Sequence, residues 1–160
     1  MLKFAASIAL SITILLSSAP AFAGGREIPN DMRPCRSGKG PAVKVEIEGL
    51  KEATGKLRVQ SYRGTKDEWL KSGAWLSRIE VPVSAKNMTF CLPFSQAGEY
   101  AIAVRHDLNG NGKTDITSDG GGMSNNPSIN IFNLGKPSYK KTKFAIGNEV
   151  KSIRITMKYM

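Results

Sequence analysis

From residue 42 onward, apolar and polar residues alternate with a period of two, the pattern of strands that bury one face and solvate the other. Val43, Val45 and Ile47 alternate with Lys44, Glu46 and Glu48 in a first predicted strand over 42–49. Leu57 and Val59 alternate with Lys56, Arg58 and Gln60 in a second over 55–62, after a hairpin-length turn at 52–55. Ile79, Val81 and Val83 mark a third, which Pro82 assigns to a sheet edge, because proline lacks the N–H that a central ladder needs. Met88, Phe90 and Leu92 mark a fourth, in which Cys91 turns to the opposite face. The fifth, 99–106, sets Tyr100, Ile102 and Val104 against Ala101 and Ala103. Apolar or small residues on both faces predict a central strand with close packing on either side. Residues 143–146 and 150–159 complete the set, the last with Ile153, Ile155, Met157 and Tyr159 on one face.

Between the strands, Thr65-Lys66-Asp67-Glu68 has the form of a capping box, with Trp69, Leu70 and a stop at Gly73, so one short helix is expected near 66–72. Trp69 and Trp75 read as core plugs rather than a sugar-stacking pair, given the area a Trp removes from water. Gly120-Gly121-Gly122 reads as a flexible connector, since it lacks the strand-turn-helix context of a nucleotide-binding loop. The fold class expected is all-β, a seven-stranded antiparallel β-sandwich with one short helix.

Composition changes this picture mainly at the N-terminus. Lys3, the apolar run 8–16 and the small-x-small site Ala21-Phe22-Ala23 read as a secretory signal peptide over 1–23, cleaved after Ala23. The run is too short for a membrane span and is interrupted by Ser11, Thr13, Ser17 and Ser18. Residues 24–41, rich in Gly and Pro, form an extended lead-in, and 42–160 the domain. A periplasmic or secreted protein follows, and in an oxidising compartment the two cysteines, Cys35 and Cys91, pair as a disulfide.

The formal net charge is +10, and loss of Lys3 with the signal leaves 22 basic residues against 13 acidic, or +9. Outside the cytoplasm such a balance points to an anionic envelope surface or polysaccharide and away from nucleic acid. The densest cluster is Lys136, Lys140, Lys141 and Lys143, a possible anionic-surface patch that reads equally as a solvated strand edge. No transmembrane segment is expected in the mature chain, and oligomeric state is not legible.

Chemistry converges in one place, after the fifth strand. Asp107, Asn109 and Asn111 sit at alternate positions, followed by Gly112, the Lys113 carbonyl and Asp115. These match positions 1, 3, 5, 6, 7 and 9 of a calcium loop, in which oxygen ligands at alternate residues wrap one hard cation. Position 12 is Ser118 rather than Glu, so the last ligand would have to be Asp119 and Ca²⁺ affinity would be weak, on the order of 0.1–1 mM. The same spacing fits an Asx-rich turn with no ion. His106, the only histidine, neighbours Asp107 on a strand, where successive side chains point to opposite faces, so the two do not read as a catalytic dyad. No nucleophile motif accompanies them, and a transition-metal site lacks ligands.

The run Gly98-Glu99-Tyr100-Ala101-Ile102-Ala103-Val104-Arg105-His106-Asp107, then Asn109-Gly110-Asn111-Gly112-Lys113 and Asp115, with Gly122-Met123-Ser124-Asn125-Asn126 later, resembles the bacterial domain of unknown function 2141 family. The resemblance extends over roughly 43–159. It implies an exported, transthyretin-like or carboxypeptidase-regulatory-like β-sandwich and no activity. The stretch between Asp115 and Met123 is shorter here than the longer Pro- and Glu-containing loop often found in the family. The expectation for function is a non-catalytic accessory or binding module. A structural envelope-associated protein is the alternative, and an enzyme of unknown type comes third.

Overall fold

The computed structural model describes residues 25–38 and 40–160, and the signal segment expected over 1–23 lies outside them. The chain is mostly β. Its elements run β1 (Arg26–Glu27), α1 (Arg33–Arg36), β2 (Ala42–Glu48), β3 (Lys56–Arg63), β4 (Ser77–Pro82), β5 (Met88–Pro93), β6 (Gly98–Asp107), β7 (Gly120–Met123), α2 (Tyr139–Thr142), β8 (Phe144–Ile146), β9 (Val150–Thr156) and β10 (Lys158–Tyr159). A larger sheet has the order β1-β4-β3-β6-β7-β10, with β8 also paired to β6, and a smaller one the order β5-β2-β9.

The alternation predicted for each strand is what joins the sheets. Val43, Val45, Ile47, Phe90, Leu92 and Ile155 from the smaller sheet pack on Leu57, Val59, Ile79, Ile102 and Val104 from the larger in one buried cluster. The small residues on the other face of β6 serve a second cluster. There Ala101 and Ala103 join Tyr62, Met123 and Trp69, with Leu70, Trp75, Ile129 and Tyr139 at its margin. The larger sheet is therefore covered on both faces, as the composition of β6 predicted.

Several expectations change. The sheets are not wholly antiparallel, because β2 pairs β9, and β4 pairs β1, in parallel. The β1 pairing reaches only Ser77 and Arg78, so Pro82 still sits where no neighbour asks for its N–H. The single strand expected over 150–159 breaks at Met157, whose N–H donates to Glu48 O (2.9 Å), and β10 crosses to the larger sheet beside β7. Both Ile155 and Met157 stay buried through the crossing, which is why the alternation continues across it.

Residues 66–70 form turns and not the expected helix. Trp69 N–H reaches Thr65 O (3.1 Å), but Leu70 takes a φ of 54° and ends the winding. Tertiary anchoring accounts for this. Trp69 packs edge-on against Tyr62 and donates its Nε1–H to Pro137 O (2.8 Å), while the Glu68 carboxylate lies 3.6 Å from Arg63 instead of turning back to cap. The plug role holds for Trp69, and Trp75 lies under the Arg78 guanidinium at 4.2 Å.

The glycine triplet is strand β7 and not a loose connector. A Cβ on Gly120 would lie 2.5 Å from the Tyr159 ring, and one on Gly122 2.7 Å from Ile155. Gly120 and Gly122 are glycine because β7 lies closely on β9 and β10 at those two positions. Next to it, Ser124 Oγ accepts from Ile102 N–H (2.9 Å) and donates to Thr142 O (2.6 Å), while Asn125 and Asn126 bond the backbone of Lys143, Arg154 and Thr156. The Ser-Asn-Asn segment thus ties the middle of β6 to the end of α2, the approach to β8 and the end of β9.

Cys35 and Cys91 form a disulfide with Cα atoms 5.8 Å apart, attaching α1 to β5. Among the described residues no helix is long and apolar enough to cross a membrane.

Candidate functional site

Strand β6 ends at Asp107, and the site is built from that residue outward. Asp107 is 2 % exposed. Its Oδ2 accepts from Gly112 N–H (2.8 Å) and lies 3.4 Å from Arg105 Nη2, while its Oδ1 is buried with no donor among the described residues. The next Asx residues close small turns, Asn109 Oδ1 accepting Asn111 N–H (3.0 Å) and Asn111 Oδ1 accepting Lys113 N–H (2.7 Å). Gly110 and Gly112, at φ of 70° and 80°, supply the left-handed steps between them.

Asp115 Oδ2 accepts amide protons from Asn109 (3.0 Å) and Asn111 (2.8 Å), and these bonds hold its carboxyl below the usual range. Whether the shortened loop returns Asp119 was open in the sequence. A tight turn on Asp115 O brings it back, and Asp119 accepts Leu108 N–H through Oδ1 (3.2 Å) and Asp115 N–H through Oδ2 (3.0 Å). All six candidate ligands, Asp107, Asn109, Asn111, Lys113, Asp115 and Asp119, therefore share one loop. As folded, it has the hydrogen bonds of an Asx-rich turn, and among the described residues no three acidic, His or Cys side chains are grouped to hold a metal ion.

Gly55 supports the root of this loop and was not singled out in the sequence. It has a φ of 71°, and a Cβ there would lie 2.1 Å from Asp107 O and 2.7 Å from Leu108 O.

His106 lies on the face opposite Asp107 and is fully buried. Its Nε2 is 2.8 Å from Thr54 O, an acceptor only, so Nε2–H donates to it. Nδ1 is hydrogen-bonded to the Tyr159 hydroxyl (2.7 Å), which in turn accepts Lys51 N–H (2.9 Å). Both ring nitrogens are committed to holding the chain together, the structural role expected.

This network gives a pH prediction. Burial pushes the Tyr159 phenol above its ordinary value of 10.0, the Lys51 N–H acting in the opposite direction. With the folded pKa raised, the stabilisation is complete below the unfolded value and is lost as pH rises through the folded one. Denaturant midpoints should therefore fall above about pH 10, and Tyr159→Phe should reduce that alkaline slope, to which Tyr62, also raised by burial, contributes in the same direction. An unchanged slope in the variant would refute the assignment.

The lysines are distributed differently from one another. Lys136, Lys140 and Lys141 are exposed, the last two on α2, while Lys143 is half-buried and its Nζ binds both oxygens of Glu99 at 2.9 Å.

A cavity of about 260 Å³ lies beside the loop on the outer face of the larger sheet. Register places two rows of side chains there. One is Gln60, Ala103 and Met123, and the other is Arg58, Arg105, Gly121 and Lys158. Arg105 donates to Thr114 Oγ1 (3.0 Å) and Gly112 O (3.2 Å), which joins cavity and loop. Strand alternation in β6 would have put Ala103 and Arg105 on one face, but the Gly121 and Lys158 partners depend on pairings that only the fold reveals.

Compared with known proteins, the family model described as "Uncharacterized protein conserved in bacteria (DUF2141)" matches residues 45–154. No curated protein and no solved structure matches the chain.

Proposed function

The chain belongs to this family of uncharacterized bacterial proteins, DUF2141, and from that premise we propose an exported, non-catalytic binding module whose working surface is the 107–119 loop and the adjoining sheet face. The observation that carries this reading is Asp107. It occupies the first position of a calcium-loop spacing, and its Oδ1 is buried without a donor among the described residues, although an unpaired buried carboxylate oxygen is costly. A cation would relieve that cost. Asn109 and Asn111 each use one lone pair of Oδ1 on a backbone N–H and keep another for an ion. The ligands of this reading are Asp107, Asn109, Asn111, the Lys113 carbonyl, Asp115 and Asp119, with Ca²⁺ in the weak extracellular range.

The non-catalytic part is supported by His106, whose ring nitrogens are both engaged within the fold. Export to the periplasm or medium is supported by the disulfide, and a transthyretin-like sandwich by two sheets around one core. An anionic envelope surface remains the partner proposed for Lys136, Lys140 and Lys141, with Lys143 contributing less because of its bond to Glu99.

Thermal melts test the loop. Millimolar Ca²⁺ against chelator should raise the melting temperature of the wild-type protein by a few degrees, and Asp107→Ala with Asp115→Ala should abolish the response. Mass action gives about 1.4 kcal/mol when the ion is at ten times its Kd. A wild-type melting temperature indifferent to calcium would leave only the Asx-rich turn.

A further inference from the structure

Among the exposed faces of the described residues, the cavity on the outer sheet face combines apolar walls with an excess of positive charge, Arg58, Arg105, Lys136 and Lys158 against Asp115 and Asp119. We propose that it binds a single-chain fatty carboxylate. The head would lie between Arg105 and Lys158 over the bare backbone of Gly121, and the tail would run along Ala103, Met123 and Ile129. This rests on the binding-module reading but not on the ion.

The argument starts from Gly121. Its neighbours Gly120 and Gly122 leave no room for a side chain, but a Cβ on Gly121 would meet only Ile129 Cδ1, at 3.9 Å. Packing does not require glycine there. What its missing side chain provides is open space on the cavity floor. Directly opposite it on the two flanking strands are Arg105 and Lys158. Two strand spacings separate these cations by roughly 9–10 Å, which leaves a gap with cationic sides.

The charges in that gap are not all internally neutralised. The Arg105 side chain is 18 % exposed and meets the Asp107 carboxylate at 3.4 Å through Nη2 alone, and its Nε–H is buried with no acceptor among the described residues. Lys136 and Lys158, at the rim, are exposed and form no ion pair among the described residues. Arg58 is already paired with Glu80 at 2.6 Å and is not counted. The carboxylates lining the cavity face their own loop. Asp119 uses both oxygens on backbone amides, and Asp115 accepts from Asn109 and Asn111.

Apolar surface continues outward from the floor. Ile116, Leu134 and Met160 line the mouth and are 50 %, 69 % and 43 % exposed, an uncommon concentration of large apolar side chains in water. Apolar walls exclude a bare inorganic anion, and the cations disfavour a neutral lipid. The volume lies just below the roughly 300–1,000 Å³ range of small-molecule sites, which favours one chain over two.

Calorimetry with monomeric decanoate tests the assignment. Decanoate should bind the wild-type protein, and decanol should bind at least about tenfold more weakly. Gly121→Leu should fill the floor and weaken decanoate by about tenfold or more while its far-ultraviolet spectrum stays that of the wild type. If that variant fails to fold, Lys136→Ala with Lys158→Ala, on exposed side chains, should give a similar loss. No heat with decanoate, equal affinity for decanol, or unchanged affinity in both folded variants would overturn the proposal. Tighter binding of lysophosphatidylglycerol than of decanoate would overturn the choice of ligand. A protein that ignores decanoate but melts higher with calcium would refute this inference and leave the loop reading standing.

Discussion

Reducing the Cys35–Cys91 bond is expected to lower the unfolding free energy by about 4 kcal/mol, the chain-entropy value for a loop of this size, since the two cysteines are separated by 56 positions. The local structure supports so large an effect. Helix α1 buries none of its residues, and ahead of it Ile28 is only partly buried against the core, so little hydrophobic burial holds the N-terminal segment in place. Its polar ties include the two-residue β1 pairing, the Glu27–Arg78 ion pair (3.2 Å), and Asn30, whose amide donates to Thr89 O (2.9 Å) and accepts Cys91 N–H (3.2 Å). Once the bond is cut, the segment should detach and become sensitive to protease while the two-sheet core keeps its secondary structure. Denaturant unfolding of oxidised and reduced protein, with Cys35→Ser/Cys91→Ser as a second comparison, measures the difference. Equal midpoints would show that the cross-link contributes nothing.

The second large effect is at Gly55. Gly55→Ala should cost roughly 2–5 kcal/mol, the sum of two terms. A left-handed backbone, here at φ 71°, costs a side-chain-bearing residue about 1–2 kcal/mol. Overpacking adds about 1–3 kcal/mol, because the new Cβ would meet the carbonyls of Asp107 and Leu108 at 2.1 Å and 2.7 Å. Those neighbours are backbone, so no rotamer change relieves the contact. The end of β6 must move, and Asp107 moves with it. Any calcium response should therefore be lost together with stability. Gly147→Ala is the control, since a Cβ there meets nothing within 4 Å; it should stay within about 0.5 kcal/mol of wild type. A Gly55→Ala protein as stable as the control would show that the loop root is pliable.

Strand positions were legible from sequence because alternation reports burial directly. Each side chain in Val43–Val45–Ile47 or Leu57–Val59 reaches a definite face whichever strand lies beside it. The central place of β6 was legible for the same reason, since Ala101 and Ala103 opposite Tyr100 and Ile102 require close neighbours on both sides. The shared loop of Asp107, Asn109, Asn111 and Asp115 was likewise a local property of residue type and spacing, and the cysteine pair followed from count and compartment, since two cysteines allow one pairing.

What the sequence did not contain was the identity of strand and packing partners distant along the chain. The parallel pairing of β2 with β9 and the sheet change at Met157 leave the alternation unaltered, so no pattern marks them. Thr65 to Glu68 had a sound local signal for a helix, overridden when Trp69 docked against Tyr62 and Pro137. Glycine is the extreme case. Without a side chain it has no place in an apolar-polar pattern, and Gly120-Gly121-Gly122 could be read only as a connector. Tertiary structure alone decided that two of these glycines admit Tyr159 and Ile155, while the third leaves an open floor between Arg105 and Lys158. A missing side chain acquires meaning only from the atoms that approach the space it leaves.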